Sequence, residues 1–132
     1  MAVANLLCDL HDAGVDLDVT VSSFAPDIVA TVRTLLPHGS GVRTALLGRP
    51  EDRALAVLQR AVDSGHDEVH PHVVSVLAET GVVAAARACG LAVIPWTVNA
   101  EHGVQRLEML GASGLITDVP ATARTALSRA TV

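Results

Sequence analysis

The stretch that decides the fold is Leu91–Asn99, which reads LAVIPWTVN. It opens with a short apolar run containing Val and Ile, which is typical of a buried strand rather than of an ordinary helix. The only tryptophan of the chain, Trp96, comes next, and Asn99 is placed to cap a helix that begins at Ala100. Aromatic and polar side chains therefore collect where a strand ends, and open α/β sheets and barrels bind ligands at that end.

Predicted strands recur along the chain at a nearly constant interval. They begin at positions 17, 42, 67, 91 and 114, so that the spacing stays between 23 and 25 residues. A helix is predicted after each strand, among them one over Val73–Cys89, and one more helix, over Val3–Ala13, precedes the first strand. Prolines such as Pro26 and Pro50 mark helix starts, and glycines such as Gly90 mark helix ends. A βα unit that repeats so evenly predicts parallel strands joined by right-handed crossovers.

Two architectures fit five such units. One is a partial TIM-type (β/α) barrel, since a complete barrel has eight units and about 250 residues. The other is a five-stranded doubly wound sheet of flavodoxin type, whose strand order contains a switch point. The even repeat favours the barrel, in which we expect sequential strands and helices on one face only. In either case we expect residues 1–132 to form a single domain, because no linker rich in Gly, Pro or Ser interrupts them.

The composition argues against several classes of protein. Half of the residues are hydrophobic but only Phe24 and Trp96 are aromatic, so we expect an aliphatic core of the α/β kind. The net charge is −5, with nine Arg and no Lys, which argues against nucleic-acid binding. Cys8 and Cys89 lack metal-type spacing, and we expect them to be free thiols in a reducing compartment. Since neither a signal peptide nor a membrane span is predicted, we expect a cytoplasmic protein.

A second phrase, GLITDVP at Gly114–Pro120, follows WTVN along the chain. Together the two phrases resemble the end of the glycerophosphodiester phosphodiesterase family, whose last two barrel strands carry W-T-V-N and G-(I/L)-I-T-D-x-P phrases. Three further phrases match in order: SSF at Ser22–Phe24, Arg33 with Pro37 in the next helix, and DEVHP at Asp67–Pro71. Five phrases in the right order and spacing make a specific match, and it covers nearly the whole chain.

The resemblance implies a metal-dependent hydrolase of lipid metabolism that releases glycerol 3-phosphate and an alcohol from glycerophosphodiesters. In the family, the catalytic histidines and the carboxylates that hold the cation come from N-terminal strands with His-Arg-Gly, Glu-x-Asp, His-Asp and Glu-x-Lys phrases. None of these phrases occurs at its expected place in this sequence. His11-Asp12 is similar to the His-Asp phrase, but it lies in a predicted helix before the SSF strand and is therefore out of order. The chain thus resembles the C-terminal five-eighths of such a barrel, the half with the substrate pocket, and we expect it to be inactive alone.

The cofactor and the partners follow from that resemblance. We expect no cofactor in this chain, whereas the complete family enzyme is expected to need a divalent cation, Mg²⁺ or Ca²⁺. The implied partners are glycerophosphodiesters, if the barrel is completed, and an N-terminal barrel segment that completes it. The alternative function is a non-catalytic α/β binding module or a truncated paralogue.

Five residues at predicted strand ends are candidates for substrate binding, and the resemblance implies that the tryptophan forms an apolar wall for the glycerol end of the substrate. These candidates are Ser23, Phe24, His70, Trp96 and Asn99. No residue is assigned to catalysis or to a metal, because Ser23 has no G-x-S-x-G elbow, and His70 and His72 have no third ligand nearby in sequence. Arg49 follows another strand and is a candidate to meet a phosphate, although a solvated loop arginine is the more frequent outcome.

Overall fold

The computed structural model describes residues 2–130, with side chains through residue 127. Helices and strands alternate as the even spacing predicts. In chain order they are α1 (Ala2–Asp12), β1 (Val19–Ser23), α2 (Pro26–Leu35), β2 (Val42–Leu47), α3 (Ala54–Asp63), β3 (Glu68–His70), α4 (Val73–Ala78), α5 (Val82–Ala88), β4 (Ala92–Val93), α6 (Glu101–Leu110) and α7 (Pro120–Ala130). None of the described helices has both the length and the apolar character needed to cross a bilayer.

The strands form one parallel sheet in sequential order, β1-β2-β3-β4. Val19 of β1 lies opposite Val42 of β2, and Leu46 of β2 lies opposite Val69 of β3. A doubly wound sheet reverses its strand order at a switch point, and this sequential order has none. The prediction of a partial barrel is therefore confirmed over the doubly wound alternative.

The helices pack on one face of this sheet. Side chains alternate between the two faces along a strand, and Leu46, Val69 and Val93 all point to the side where residues of α2 to α7 complete a buried apolar cluster. Val42, on the same face, joins a second cluster with residues of α1 and α2 such as Leu7. The opposite face, called the inner face below, carries Thr20, Arg43, Ala45, Glu68 and His70.

Among the predicted elements whose bounds differ by two residues or more from those in the structure are one helix and the first strand. The helix expected over Val73–Cys89 is broken into α4 and α5, because Glu79 leaves the helical conformation at φ −134° and ψ 66°. The carboxylate of Glu79 instead accepts hydrogen bonds from Arg53 at 2.7 Å and from the Leu55 amide at 3.3 Å. The first strand begins at Val19, later than the predicted position 17.

The fifth predicted strand, which starts at Gly114, lies beside β4 without forming a regular ladder. The Ile116 amide donates to the Pro95 carbonyl at 2.9 Å, and the Val98 amide donates to the Ile116 carbonyl at 2.9 Å. A regular parallel ladder joins one residue to neighbours two positions apart, whereas Pro95 and Val98 are three apart. The described residues thus form four strands and an extended fifth segment at the edge of the sheet.

A buried polar network ties α2 to β2 and β3 at the end of the sheet where the strands begin. Arg33 pairs with Asp67 and also donates to Thr44 Oγ1 at 3.2 Å. Asp67 accepts the Thr44 amide at 2.9 Å, and Thr44 Oγ1 lies 2.8 Å from His66 Nδ1. Burial lowers the pKa of His66, and the charge of Arg33 lowers it further, while Asp67 opposes the shift. A neutral His66 therefore belongs to this network.

Gly41, just before β2, is expected to resist substitution. Its φ is +83°, and a Cβ at this position would lie 2.0 Å from the carbonyl oxygen of Leu17. We expect Gly41→Ala to lower the free energy of unfolding by about 3 kcal/mol or more, because a left-handed alanine and a backbone clash both cost energy. Urea denaturation followed by circular dichroism measures this loss.

Gly39→Ala is the matched control. The φ of Gly39 is +92°, but a Cβ there would meet nothing within 4 Å. We expect a loss of about 1–2 kcal/mol, from the left-handed backbone conformation alone. Equal losses in the two variants would contradict the close approach between Gly41 and Leu17.

Candidate functional site

The edge at which the strands end, called the rim below, holds all five candidate residues. Ser23 is the last residue of β1 and Phe24 follows it, while His70 is the last residue of β3. Trp96 and Asn99 come after β4. Because the strands are parallel, their C-terminal ends meet at one edge, and this is the edge at which barrels bind their ligands.

The indole of Trp96 joins three segments of the rim. Its Nε1 donates to the Gly48 carbonyl at 3.1 Å and to the His70 carbonyl at 3.0 Å, so it ties the segments after β2 and β4 to the end of β3. Gly48 itself packs closely against α3, because a Cβ on it would lie 2.8 Å from Val57 Cγ2. The tryptophan is thus held in one orientation, with its polar atom used inside the protein.

Aromatic and cationic groups surround this indole. The Phe24 ring lies 5.8 Å from Trp96, edge to face at 75°, and the His72 ring lies 4.7 Å away at 84°. The guanidinium carbon of Arg49 lies 4.3 Å from the centroid of the Phe24 ring. We call Phe24, Arg49, His72 and Trp96 the rim cluster. The sequence selected Phe24 and Trp96, favoured a solvated Arg49 over one that meets a phosphate, and placed His72 at the surface or the pocket rim without indicating its contact with the indole.

Ser23 and Asn99 are engaged in local hydrogen bonds. Ser23 Oγ accepts the Ala25 amide at 3.1 Å, which holds the segment that follows β1. Asn99 Oδ1 accepts from Thr117 Oγ1 at 3.1 Å and from the Asp118 amide at 3.0 Å, and its Nδ2 donates to the Asp118 carboxylate at 3.0 Å. Asn99 thus joins the WTVN and ITD phrases.

The prediction that Asn99 caps the next helix is wrong. Helix α6 begins at Glu101, and its capping position is occupied by Ala100, which makes no side-chain capping bond. Asn99 stands one residue before that position, and its amide group is already satisfied by Thr117 and Asp118. The assignment of Asn99 to substrate binding stays a prediction.

His70 belongs to a buried polar group on the inner face. Its Nε2 donates to Glu68 Oε1 at 2.8 Å, and both residues are only 7% exposed. Glu68 Oε2 accepts from Arg43 Nε at 3.2 Å and from Thr20 Oγ1 at 3.3 Å. Thr20 and Glu68 meet across the intervening strand β2, as expected on the concave side of a curved sheet. The period of two that places Glu68 and His70 on one face of β3 was available in the sequence.

The charge of Glu68 is stabilised by this arrangement. The hydrogen bond from His70 lowers the pKa of Glu68, and Thr20 and Arg43 lower it further, while burial opposes the shift. Because Nε2 of His70 is the atom that donates to Glu68, the other ring nitrogen, Nδ1, is left buried without a partner among the described side chains. The assignment of His70 to substrate binding stays a prediction.

The divalent cation that the resemblance implies does not fit the residues present here. No group of three or more His, Cys, Asp or Glu within the described part of the chain is arranged to hold a metal ion. Glu68 is the buried carboxylate of the inner face, but both of its oxygens accept hydrogen bonds. The adjacent guanidinium of Arg43 would also repel a cation. No step of a reaction is therefore derived through a metal held by this chain.

Replacing Glu68 tests the inner-face group. Its folded pKa is lowered, so its stabilisation is present above the unfolded pKa, near 4.5, and is lost as the pH falls through the lower folded pKa. We expect Glu68→Gln to cost about 1–3 kcal/mol at pH 7 and to reduce the loss of stability on acidification below about pH 5. Urea denaturation at a series of pH values measures both effects.

Glu51→Gln removes one carboxylate at an exposed position and is the control for Glu68→Gln. We expect it to leave the free energy of unfolding at pH 7 within about 0.5 kcal/mol of the original chain. If Glu68→Gln kept the original pH dependence, the carboxylate would not be stabilised by its neighbours.

The comparisons with known proteins agree with this geometry. Residues 2–122 match the model of the glycerophosphoryl diester phosphodiesterase family. No curated protein matches the sequence. Solved structures match in fold: a glycerophosphodiester phosphodiesterase from Parabacteroides distasonis has 18% identity and a TM-score of 0.77. A protein from Silicibacter pomeroyi assigned to the same activity has 24% identity and a TM-score of 0.79.

A third structure is a phosphodiesterase from Oleispira antarctica in complex with its product sn-glycerol-3-phosphate, with 20% identity and a TM-score of 0.66. The three matches cover 94–98% of this chain. They cover only 44–52% of the other chains, so this chain spans about half the length of the structures it matches. With its family model matched over residues 2–122, the chain belongs to the glycerophosphoryl diester phosphodiesterase family.

Proposed function

We propose that this chain is the substrate-binding part of a phosphodiesterase that hydrolyses glycerophosphodiesters to glycerol 3-phosphate and an alcohol. The observation that carries the proposal is the rim cluster, in which Phe24 and Trp96 lie edge to face at the C-terminal ends of parallel strands. Membership of the family supports the reaction class. The product bound to the Oleispira protein supports glycerol 3-phosphate as a ligand.

Phe24 and Trp96 are assigned to the apolar wall that contacts the carbon atoms of the glycerol group. Phe24 is 39% exposed, so its ring is available to a ligand. Ser23, His70 and Asn99 complete the proposed substrate-binding set. We assign them to the support of this wall, since their hydrogen bonds hold the segments on which the two aromatic rings stand.

Catalysis and the divalent cation, Mg²⁺ or Ca²⁺, are assigned to an N-terminal barrel segment rather than to residues 1–132, which we take as a single domain. The open edge of β1 supports such a partner, because within residues 2–130 β1 pairs only with β2. Beside that edge lies a groove between α1 and α2 lined by apolar side chains that include Val19, Val21 and Val32. A further barrel strand with its helix would cover this groove and complete the inner face.

The cytoplasm is the proposed compartment, and lipid metabolism the proposed setting. Both Cys8 and Cys89 are free thiols, which supports a reducing environment. Glycerophosphodiesters form when membrane phospholipids lose both acyl chains, so the proposed substrates are water-soluble small molecules. An enzyme that acts on them needs no insertion into a membrane.

A non-catalytic binding module is the second candidate function. The observation that favours it is that residues 2–127 hold no group of three metal-ligating side chains. Such a module would bind glycerol phosphate esters at the same rim without turning them over. The two candidates differ when an N-terminal barrel segment is supplied, because only the first then gains activity.

The chain alone is expected to release no glycerol 3-phosphate from glycerophosphocholine. Hydrolysis needs a cation held by carboxylates and a proton-transferring group within hydrogen-bond reach of the substrate. An enzymatic assay for glycerol 3-phosphate, run with added Mg²⁺ or Ca²⁺, measures the rate against buffer. Turnover that stays with the protein through repurification, and that a chelator abolishes, would overturn this expectation.

Phe24→Ala is expected to weaken the binding of both glycerol and glycerol 3-phosphate by about fivefold, because it removes part of the apolar wall that both ligands contact. Trp96 is the only tryptophan, so its fluorescence reports binding at the rim cluster. Leu35→Ala is the control, since Leu35 is a similarly exposed apolar residue at the far end of α2. Unchanged affinities in Phe24→Ala would remove Phe24 from the proposed pocket.

A further inference from the structure

Arg49 presents a cation over one of the two aromatic rings of the proposed pocket. Its guanidinium carbon lies 4.3 Å from the centroid of Phe24, within the range of a cation–π contact. The side chain is exposed, so its N–H donors face solvent at the rim. An arginine in this position keeps its planar fork available while the aromatic ring restrains its orientation.

The backbone that carries Arg49 is fixed on both sides. The Arg49 amide donates to Asp52 Oδ2 at 2.9 Å, and Ser75 Oγ donates to the Arg49 carbonyl at 3.3 Å. The preceding residue, Gly48, donates through its amide to the His70 carbonyl at 3.0 Å and accepts the Trp96 indole. Arg49 therefore stands on a segment whose conformation is set before any ligand arrives, which reduces the entropy cost of binding.

No carboxylate within the described side chains pairs with this guanidinium. Arg33, Arg43 and Arg53 each pair with an acid, whereas Arg49 makes no such ion pair. The nearby Asp52 directs its carboxylate to the backbone amide of Arg49 instead. A positioned guanidinium at the rim, lying over an aromatic ring and lacking a counter-ion among the described side chains, is suited to an anion from outside.

We propose that Arg49 and Phe24 together form an anion-binding element that selects glycerol phosphate esters over neutral polyols. This inference rests on the proposed function, and it adds a specificity-determining residue contributed by the segment after β2. Phosphate and carboxylate oxygens both match the arginine fork, so the anion is either the phosphate of the glycerol ester or a charged group on the alcohol. The aromatic ring holds the guanidinium where either group would meet it.

The experiment compares four ligands on the full chain, with Trp96 fluorescence as the signal and the ionic strength kept constant. Glycerol is neutral, glycerol 3-phosphate is a phosphate monoester, glycerophosphocholine carries a cationic alcohol, and glycerophosphoserine carries a carboxylate on its alcohol. For Arg49→Gln we expect about fivefold weaker binding of those ligands whose anionic group Arg49 contacts, because one exposed charge contact is lost. The affinity for neutral glycerol is expected to stay unchanged. Arg49→Lys keeps the charge without the planar fork and is expected to lose part of the affinity for those anionic ligands.

Arg53→Gln is the matched control, because it removes the same charge four positions along the chain, where the side chain pairs with Glu79. It should change no affinity more than about twofold. A loss in Arg49→Gln for all three phosphate-containing ligands assigns Arg49 to the phosphate, and a loss for glycerophosphoserine alone assigns it to the alcohol.

Two other outcomes would contradict a proposal, and they are distinguishable. If the original chain binds glycerol 3-phosphate and Arg49→Gln binds it equally well, the Arg49 proposal is wrong and the proposed function stands. If the original chain shows no response to any of the four ligands, both the proposed pocket and the role of Arg49 are overturned.

Discussion

The hydrogen bonds of one indole N–H hold together the segments of the rim. Trp96 Nε1 donates to the carbonyl of Gly48, which follows β2, and to the carbonyl of His70, the last residue of β3. Backbone carbonyls at strand ends are obligatory acceptors, and here a side chain from the next strand satisfies them. The indole also contacts the residues around it. Its hydrogen bond holds Gly48, the residue before Arg49, and the Phe24 ring packs against it at 75°.

The alternation of side chains along the strands explains how one sheet carries an apolar face against the helices and a polar inner face. On β3, Val69 points to the helices and is fully buried in the main apolar cluster. Its neighbours Glu68 and His70 point to the inner face, where they pair with each other. An all-parallel sheet with both faces covered by helices would be apolar on both sides. The charged inner face of this sheet is instead typical of a barrel interior near its ligand site.

Much of the architecture could be predicted from the sequence, because the βα repeat depends on local signals. Proline and glycine at the ends of helices such as α2 and α6 act within a few residues, and the sequential strand order follows from their spacing. The break between α4 and α5 could not be predicted, since it depends on Arg53, which lies far away in sequence. The same holds for the side chain of Asn99, whose partners Thr117 and Asp118 lie in the next unit.

The two ends of the sheet differ in how their charged side chains are paired. Where the strands begin, the side chains of Arg33, Asp67 and Thr44 pair with one another and with His66 Nδ1, while His66 Nε2 is buried without a partner among the described residues. These hydrogen bonds and this ion pair favour stability, because buried polar groups are costly when they are left unpaired. Where the strands end, Arg49 rests on an aromatic ring and has no acidic partner among the described side chains. A cation that the fold positions but does not neutralise leaves its electrostatic energy available to a ligand, and this separates the proposed binding end of the sheet from the stabilising one.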